Sequence, residues 1–369
     1  MIDYFTSTFY FMKAIKQAVG IDVAQDELVC SYGILLEDLS WQIKSRKTFA
    51  NHNSGFKACL KWVESMRDVN SEVLFAMEAT GVYHEKFAHW LVDMEQKLSI
   101  VLPNKISNYM RTLSIKTVTD STCADAITQF GLERKLDYWA PPKPIFRTLK
   151  QLTRERDQIV AERVTIDNQI HAEKTEAFPN ANSLKRLDAR RRLLCKQEQE
   201  IKGEIRQLVK SDQELDQEVK RITSIPGVGE LTAVIVLAET NGFELVRNKR
   251  QLSSYAGLDV REKQSGTSVK GKPRISKKGN RSLRKAMHLP ALAAIRHCEI
   301  NKATFARLVG RHGIKMKAVV AVQRKLLELI YILFKNKTTF DPAYEEKRED
   351  GKNHAPLYSL ADADLSNQI

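Results

Sequence analysis

Two acidic residues in the first part of the chain stand where they could do metal chemistry. Asp22 follows the apolar run 18–21, and Glu78 follows the apolar run 73–77. Neighbouring strands of a sheet would bring both carboxylates to one edge, where they could bind Mg²⁺, an ion that prefers oxygen ligands and reaches substrate phosphates. Such ions can activate an attacking oxygen and stabilise a leaving one. Each acid taken singly also fits an ordinary helix cap.

A third contribution to this site is expected from residues 117–126, which hold Asp120 and Asp125. Asp125 lies in a helical pattern, and Asp120 resembles the N-cap of that helix. Five helical residues rotate a side chain by about 500°, so both acids can reach one site only if Asp120 lies before the first turn. Capping alone is the other interpretation of Asp120.

Ser265 stands in a glycine-punctuated, basic segment that has too little apolar surface to form a core. Ten cations lie in this segment: Arg261, Lys263, Lys270, Lys272, Arg274, Lys277, Lys278, Arg281, Arg284 and Lys285. This density of positive charge predicts that the segment contacts nucleic-acid phosphates. A serine there is a candidate nucleophile on DNA, or a plain loop serine. No His or Asp is its immediate neighbour, so activation must come from the metal site or from a carboxylate elsewhere, in this protomer or another.

A second nucleic-acid feature is the turn that contains Gly227 and Gly229. Residues 224–233 match the helix-hairpin-helix pattern, in which a Pro-Gly-x-Gly turn exposes backbone N–H groups to a phosphate. A plain tight turn between two helices is the alternative.

The elements that must position these residues form three domains. Three early strands and then alternating helix and strand predict a mixed α/β sheet of ribonuclease H type over residues 17–144, after an N-terminal arm at 1–16. The linker 141–144 is proline-rich. A mostly helical third domain is expected over residues 222–342, followed by a polar tail at 343–369.

Between these two domains, long polar helices at roughly 145–175 and 183–221 predict a helical hairpin over residues 145–221. An apolar residue recurs at every seventh position of the second helix, as Leu187, Leu194, Ile201, Leu208, Leu215 and Ile222. This narrow seam favours a coiled coil between protomers. A solvated charged helix is the alternative.

The composition agrees with a nucleic-acid partner. The 369 residues include 59 Lys and Arg against 45 Asp and Glu, which gives a net charge of +14 and an isoelectric point near 9.4. No uninterrupted apolar run is long enough to span a bilayer, so a membrane protein is not expected. The five scattered cysteines argue against a disulfide framework and a zinc site, and they fit a reducing cytoplasm.

Seven motifs together resemble one family of insertion-sequence transposases, the "one-ten" family, which also contains pilin-gene DNA invertases. Three lie in the first domain: 20–22 (Gly-Ile-Asp), 77–83 (Met-Glu-Ala-Thr-Gly-Val-Tyr) and 124–126 (Ala-Asp-Ala). Four lie in the third: 225–229, 255–258, 265–271 and 275–280. The resemblance runs from about Gln17 to about Pro342, in the family's order.

The resemblance implies a RuvC-like DEDD catalytic domain, a coiled-coil hairpin that pairs protomers, and a C-terminal transposase domain with a catalytic serine. It also implies tetramers that act on element ends and target DNA, guided by an RNA from the element's flank. By position, Asp22 and Glu78 match the first two acids, Asp125 the last, and Ser265 the serine. The family spaces its last two acids three residues apart. The position three residues before Asp125 is Thr122 in this chain, so we assign Asp120, two residues earlier, as the third ligand.

The sequence therefore predicts a site-specific DNA recombinase. Mg²⁺ bound by Asp22, Glu78, Asp120 and Asp125 would polarise the scissile phosphate, and Ser265 would attack it. Gly227, Gly229 and the cations from Lys270 to Arg284 would hold nucleic acid. One rival is a RuvC-like junction nuclease that uses water. Another is a degenerate copy that binds nucleic acid without chemistry.

Overall fold

The structure of the protein is a computed structural model that describes residues 13–343 except 69–70, 80, 114, 116, 263, 266–268 and 272. Of residues 264, 265, 269 and 270 it describes the backbone and not the side chains. Most of the predicted N-terminal arm and nearly all of the predicted tail lie outside these residues. The chain forms two compact units that divide after Pro141.

The first unit contains a five-stranded mixed sheet in the order β3-β2-β1-β4-β5. Strands β1, β2 and β3 are antiparallel neighbours, while β4 runs parallel to β1 and β5 runs parallel to β4. Their bounds are β1 Ala14–Val23, β2 Glu27–Leu36, β3 Trp41–Ala50, β4 Val73–Glu78 and β5 Lys97–Val101. The predicted mixed α/β sheet is confirmed, and this strand order is consistent with a ribonuclease H type.

Helices cover both faces of this sheet. Helices α1 (Asn53–Glu64) and α2 (Glu85–Asp93) pack on one face, where alternate residues of β1 and β4, such as Ile21 and Phe75, form an apolar core with them. Helices α3 (Pro103–Met110) and α4 (Asp120–Glu133) contribute to smaller apolar clusters on the opposite face, which the other set of alternate residues presents.

Helix α4 lies close against β1 because Gly20 has no side chain. A Cβ atom at Gly20 would stand 2.3 Å from the Thr128 nitrogen and 2.4 Å from the Ala124 oxygen. The Thr128 hydroxyl accepts a hydrogen bond from the Gly20 N–H at 3.0 Å and donates toward the carbonyl of Ser31 at 2.8 Å. At the other end of α4, the Lys16 ammonium donates to three carbonyls of the last turn. These contacts fix the position of α4 on the sheet.

The second unit is mostly helical. Its helices are α5 Pro144–Thr175, α6 Ala181–Ser211, α7 Gln213–Thr223, α8 Glu230–Thr240, α9 Lys249–Ala256, α10 Arg281–Ala286, α11 His288–His297, α12 Glu299–His312 and α13 Lys315–Asn336. Four two-residue strands lie between α9 and α10: β6 Val260–Arg261, β7 Gln264–Ser265, β8 Val269–Lys270 and β9 Arg274–Ile275. Among the described residues, no helix combines the length and apolarity needed to cross a membrane.

Helices α5 and α6 pack along each other as a hairpin, in agreement with the predicted pair of long helices. The prediction that the second helix continues to residue 221 is wrong, because Asp212 interrupts it. The Asp212 carboxylate accepts the Leu215 N–H at 3.0 Å and so caps α7. Of the seventh-position residues, Ile201, Leu215 and Ile222 are buried in the apolar core of this same unit. The coiled coil between protomers stays a prediction.

Candidate active site

The sheet places Asp22 and Glu78 beside each other. Ile21 of β1 is paired with Met77 of β4, so the next residues along these two parallel strands are Asp22 and Glu78. Successive residues of a strand point to opposite faces of the sheet, and Ile21 and Met77 pack on α1 and α2. The side chains of Asp22 and Glu78 therefore lie on the opposite face, which α4 covers. Both residues are half-buried. The predicted juxtaposition of two carboxylates at the ends of neighbouring strands is therefore present.

Helix α4 begins at the same edge of the sheet and adds Asp120. The N-cap of this helix is Thr119, whose hydroxyl accepts the Thr122 N–H at 3.2 Å, while the Thr122 hydroxyl accepts the Thr119 N–H at 2.8 Å. The prediction that Asp120 is the N-cap is thus wrong by one residue. Asp120 is the first residue of the helix and is exposed.

The pKa of Asp22 is affected by the two other carboxylates at this edge of the sheet. Partial burial is the largest cause that raises this pKa from 3.8 to about 6, followed by the negative charges of Asp120 and Glu78. A hydrogen bond from the Val23 N–H lowers it by less. Glu78 and Asp120 are therefore each close enough to Asp22 to repel its charge, and we call these three residues the carboxylate cluster.

Asp125 points elsewhere. Its carboxylate accepts hydrogen bonds from Arg46 Nε at 2.8 and 3.0 Å and from the Ser31 hydroxyl at 2.6 Å. Ser31 and Arg46 are paired residues of β2 and β3. The helical rotation between Asp120 and Asp125 explains the divergence, because Asp120 lies inside the first turn and not before it. Asp125 as a metal ligand stays a prediction.

The donor atoms of the carboxylate cluster fit a hard divalent cation. All are carboxylate oxygens, which suit Mg²⁺, and a cation among them would relieve their mutual repulsion. Within the described ranges, however, no three His, Cys, Asp or Glu side chains already stand in an arrangement that would hold a metal ion. The fit therefore lies in the chemistry of the donors and not in a preformed coordination shell.

Cys123 is a residue of this site that sequence reasoning missed. It lies three positions after Asp120 in α4 and is half-buried. Burial is the largest cause that raises the pKa of its thiol to about 11, and the charges of Asp22, Glu78 and Asp120 raise it further. The family's spacing of three residues between its last two acids could have pointed to Cys123. Counted forward from Asp120, instead of backward from Asp125, this spacing leads to position 123.

Ser265 lies in a small hairpin of the second unit. Strands β6 and β9 pair antiparallel, and within the loop they enclose, Ser265 of β7 is paired with Val269 of β8. The side chain of Ser265 and that of Lys270 lie outside what the structure describes, as do Lys263 and Lys272 entirely. The role of Ser265 as nucleophile stays a prediction.

A buried carboxylate that sequence reasoning missed holds the base of this loop. Glu239 of α8 is almost fully buried and accepts hydrogen bonds from Arg154 at 2.9 and 3.1 Å and from Asn280 at 2.7 Å. Burial alone would raise the pKa of Glu239, but these donors and the positive charge of Arg154 outweigh it and lower the pKa. Asn280 also caps α10.

The two motifs that flank this loop contact each other directly. The Asn280 N–H donates to the Tyr255 carbonyl at 2.7 Å, and the Lys277 N–H donates to the Gly257 carbonyl at 3.1 Å. Gly279, at φ +144°, has no room for a Cβ atom, which would stand 2.4 Å from the Tyr255 oxygen. Residues 255–258 and 275–280 therefore form one packed base, which joins the two sides of the chain segment that contains Ser265.

The predicted phosphate-binding cations differ in what they contact. Arg261, Arg274, Lys277, Lys278 and Arg281 are exposed. Arg284 is half-buried and donates to the Ala256 carbonyl at 2.7 Å, and Lys285 is 3.1 Å from the Asp157 carboxylate. Arg284 therefore has an internal partner at the end of α9, whereas the exposed cations can face a ligand.

The glycine turn connects α7 and α8, as the helix-hairpin-helix pattern predicts. Gly227 has φ +91°, and a Cβ atom there would stand 2.7 Å from the Ala294 nitrogen of α11. Gly229 is the N-cap residue of α8 and has open space around it. Gly227 is thus required by packing within the unit, and phosphate binding by both glycines stays a prediction.

Two family models match most of the chain, one after the other. A model of the IS110-type DEDD domain, described as a transposase, matches residues 19–179. A second model, described as the transposase IS116/IS110/IS902 family, matches residues 219–306. The chain belongs to the IS110 family of transposases. The family resemblance noted in the sequence is thereby confirmed, and this transposase is a DNA-recombining enzyme.

Individual relatives cover nearly the whole of this transposase. The pilin gene-inverting proteins of Moraxella bovis and Moraxella lacunata are each 28% identical to it, over 90% of this chain and 99% of theirs. The transposase for insertion sequence element IS1111A of Coxiella burnetii is 32% identical over 145 residues, which are 37% of this chain and 38% of the relative.

Proposed function

We propose that this transposase cuts and rejoins DNA through a covalent bond between Ser265 and a DNA phosphate, assisted by Mg²⁺ at the carboxylate cluster. The observation that carries the metal part of the proposal is the convergence of Asp22, Glu78 and Asp120 at one edge of the sheet. Mg²⁺ bound there would neutralise charge on the scissile phosphate. The serine part is supported by the family membership and by the cations around the loop.

The proposed step exchanges one phosphoester for another. The Ser265 oxygen forms a bond to phosphorus and loses its proton, while the bond from phosphorus to one deoxyribose oxygen breaks and that oxygen takes up a proton. Because the number of phosphoester bonds is unchanged, the reverse reaction with a different DNA hydroxyl rejoins the strands without an external energy source.

The exposed cations and the packed base support the binding part of the proposal. Arg261, Lys277, Lys278 and Arg281 would hold phosphates of DNA or of a guide RNA transcribed from the element's flank. The Glu239 network would hold both ends of the Ser265 loop in place. Assembly into dimers or tetramers and a location in the bacterial cytoplasm remain predictions.

Trapping of the covalent product tests the proposal. The full chain is incubated with Mg²⁺, labelled element-junction DNA and flank RNA, and the products are separated on a denaturing gel. We expect a protease-sensitive label on the wild-type protein that is absent in Ser265→Ala and Asp22→Ala.

The same gel separates the rival functions. Free cut DNA without an adduct, equal in the wild type and Ser265→Ala but absent in Asp22→Ala, would show a hydrolytic nuclease. Bound but uncut DNA in all three proteins would show a binding protein without chemistry.

A further inference from the structure

Four large apolar side chains are exposed around the edge of the sheet where the carboxylate cluster lies. Val82 and Tyr83 are in the loop after β4, Leu102 directly follows β5, and Val118 is two residues before α4. Their exposed fractions are 68%, 44%, 57% and 69%, in that order. A single exposed apolar side chain is ordinary, but several around one functional edge indicate a binding surface. We call these four residues the apolar rim.

Tyr83 is fixed beside the end of β1. The side-chain amide of Asn51 donates to the Ala24 carbonyl at 2.8 Å and to the Tyr83 carbonyl at 3.2 Å. Ala24 is two residues after Asp22, so the backbone of Tyr83 lies close to the chain that leaves this acid. The ring of Tyr83 lies against its own loop, because a Cβ atom at Gly81 would stand 3.9 Å from a carbon of this ring. An exposed aromatic ring is therefore held at this edge of the sheet.

Leu102 is fixed in a similar way on the other side of Glu78. Glu78 of β4 is paired with Val101 of β5, and the Ala79 N–H donates to the Val101 carbonyl at 3.0 Å. Leu102, the next residue of the chain, therefore lies beside the residue that follows Glu78. The Leu102 carbonyl also accepts the Lys105 N–H at 2.9 Å, which ties it to the start of α3.

The direction of α4 places Val118 at the same edge. Helix α4 runs opposite to β1, because its last turn lies over the beginning of that strand. Gly20 faces Ala124, since a Cβ atom at Gly20 would stand 2.4 Å from the Ala124 oxygen. Asp120 lies one turn, about 6 Å, before Ala124, and Asp22 lies about 7 Å beyond Gly20 in the same direction. Val118, two residues before Asp120, therefore flanks the carboxylate cluster.

The pattern of charge on this edge fits a DNA strand better than a partner protein. Acidic groups stand in the centre, and the apolar side chains lie around them in three separate segments. A specific protein interface buries roughly 800 Å² on each partner, and its centre is depleted of charged residues. A DNA strand instead alternates phosphates, which a cation bound by the acids can meet, with flat apolar base faces. As a transposase, this chain already has DNA as its substrate.

We propose that the apolar rim holds unpaired nucleobases on either side of the scissile phosphate, and that Tyr83 stacks on one of them. The proposal rests on the proposed function, which places that phosphate at the carboxylate cluster. Strand exchange separates bases near the break from their old partners, and an aromatic surface offsets the stacking that they lose. Because every base has a π face, Tyr83 would hold DNA of any sequence and leave sequence recognition to other parts of the complex.

Binding of the full chain to element-junction DNA tests the role of Tyr83. Affinities are measured by fluorescence anisotropy with flank RNA and Ca²⁺, which takes oxygen ligands as Mg²⁺ does, and a gel confirms that the DNA stays intact. We expect Tyr83→Ala to weaken binding about tenfold and Tyr83→Phe to keep the wild-type affinity, since the ring and not the hydroxyl stacks. Tyr138→Ala is the matched control and should bind like the wild type. Tyr138 is exposed in the same unit but lies beside Lys97, at the opposite end of β5.

Junction DNA that lacks one base tests the contact itself. A single abasic site is moved step by step through the nucleotides around the cleavage position, while the phosphates stay intact. At the position that Tyr83 holds, we expect the abasic site to weaken binding by the wild type about tenfold and to leave Tyr83→Ala unaffected, because the same stacking contact is already lost. If the two losses multiply at every position, Tyr83 stacks on no base and the proposal is wrong.

Two further measurements separate the alternatives, and circular dichroism confirms that each variant is folded. If Tyr83→Ala and Leu102→Ser change the molar mass in analytical ultracentrifugation without changing the affinity for DNA, the apolar rim is an interface between protein chains and the proposal is wrong. If Asp22→Ala still forms the covalent adduct, the proposed metal role fails first. If Asp22→Ala is inactive and Tyr83→Ala binds DNA like the wild type, only the proposal for the apolar rim is wrong.

Discussion

Two carboxylates of this chain, Asp22 and Glu239, have pKa values that are shifted in opposite directions. Burial and two neighbouring carboxylates raise the pKa of Asp22 to about 6, so the folded protein disfavours its charge. Burial opposes the charge of Glu239 as well, but Arg154 and Asn280 outweigh it and lower the pKa. Repulsion between neighbouring carboxylates marks a candidate cation site, whereas the carboxylate of Glu239, which is paired with Arg154, serves the structure.

The Glu239→Gln substitution tests this structural role. The amide keeps the shape of the side chain but loses the charge-assisted hydrogen bonds, so we expect the free energy of unfolding at neutral pH to fall by about 2 kcal/mol. Because the folded pKa of Glu239 lies below its ordinary value of 4.5, the stability it contributes is present above that pH and is lost as the pH falls through the folded pKa.

Urea unfolding of both proteins between about pH 4 and pH 7 measures this effect. The difference in stability between the wild type and Glu239→Gln should shrink at the acid end of the range. A difference that stays constant with pH would show that the charge of Glu239 contributes nothing to stability.

At the scale of elements, α4 determines the geometry of the candidate site. It supplies Asp120 and Cys123, and its distance from the sheet depends on Gly20, two residues before Asp22. Packing therefore explains why the Gly-Ile-Asp motif begins with glycine, because any side chain at Gly20 would push α4 away from β1. Asp22 and the glycine that admits the helix lie on the same face of one strand.

Gly20→Ala should therefore disrupt the site from within the sheet. The new Cβ would meet backbone atoms of α4, which cannot rotate away, so we expect a loss of about 3 kcal/mol or more in stability. Gly131→Ala is the matched control within α4, since its Cβ would stand 3.4 Å from the Ala18 side chain, an ordinary contact. Thermal unfolding of both variants checks this, and an equal effect would contradict the packing explanation.

At the scale of the whole molecule, the net charge of +14 does not show which cations can contact nucleic acid. Exposed cations such as Lys277 and Lys278 stand on the segment next to the Ser265 loop, whereas Arg284 is taken up by the Ala256 carbonyl. A half-buried cation that already donates to a carbonyl of its own unit is less available to a DNA phosphate than an exposed one. Proximity in sequence to a basic run is therefore not enough to assign a phosphate contact.

Binding of the full chain to duplex DNA at several salt concentrations distinguishes these two kinds of cation. Lys278→Ala should weaken binding and lower the slope of log affinity against log salt by about 1. Arg284→Ala should leave that slope unchanged and lower the unfolding temperature, since it loses hydrogen bonds within the unit. The reverse result would assign Arg284 to the nucleic acid and Lys278 to the structure.

Local patterns in the sequence were sufficient for many of the elements. The three early strands that the sequence predicts are present, as β1 Ala14–Val23, β2 Glu27–Leu36 and β3 Trp41–Ala50. The junction between α6 and α7 was not predictable from apolar spacing, because the spacing continues through Asp212 while that carboxylate captures the Leu215 N–H. A side chain that competes for backbone hydrogen bonds overrides the periodicity of its neighbours.

The sequence by itself determined the family, the mixed α/β first unit, and the placement of Asp22 and Glu78 at neighbouring strand ends, because strand patterns and motifs are local. Only the tertiary structure decided which side chains of α4 face those acids, since this depends on where the helix starts and how it rotates. The same holds for Glu239, whose partners Arg154 and Asn280 lie 85 and 41 residues away along the chain. Contacts between distant residues follow from packing in three dimensions, which no local pattern records.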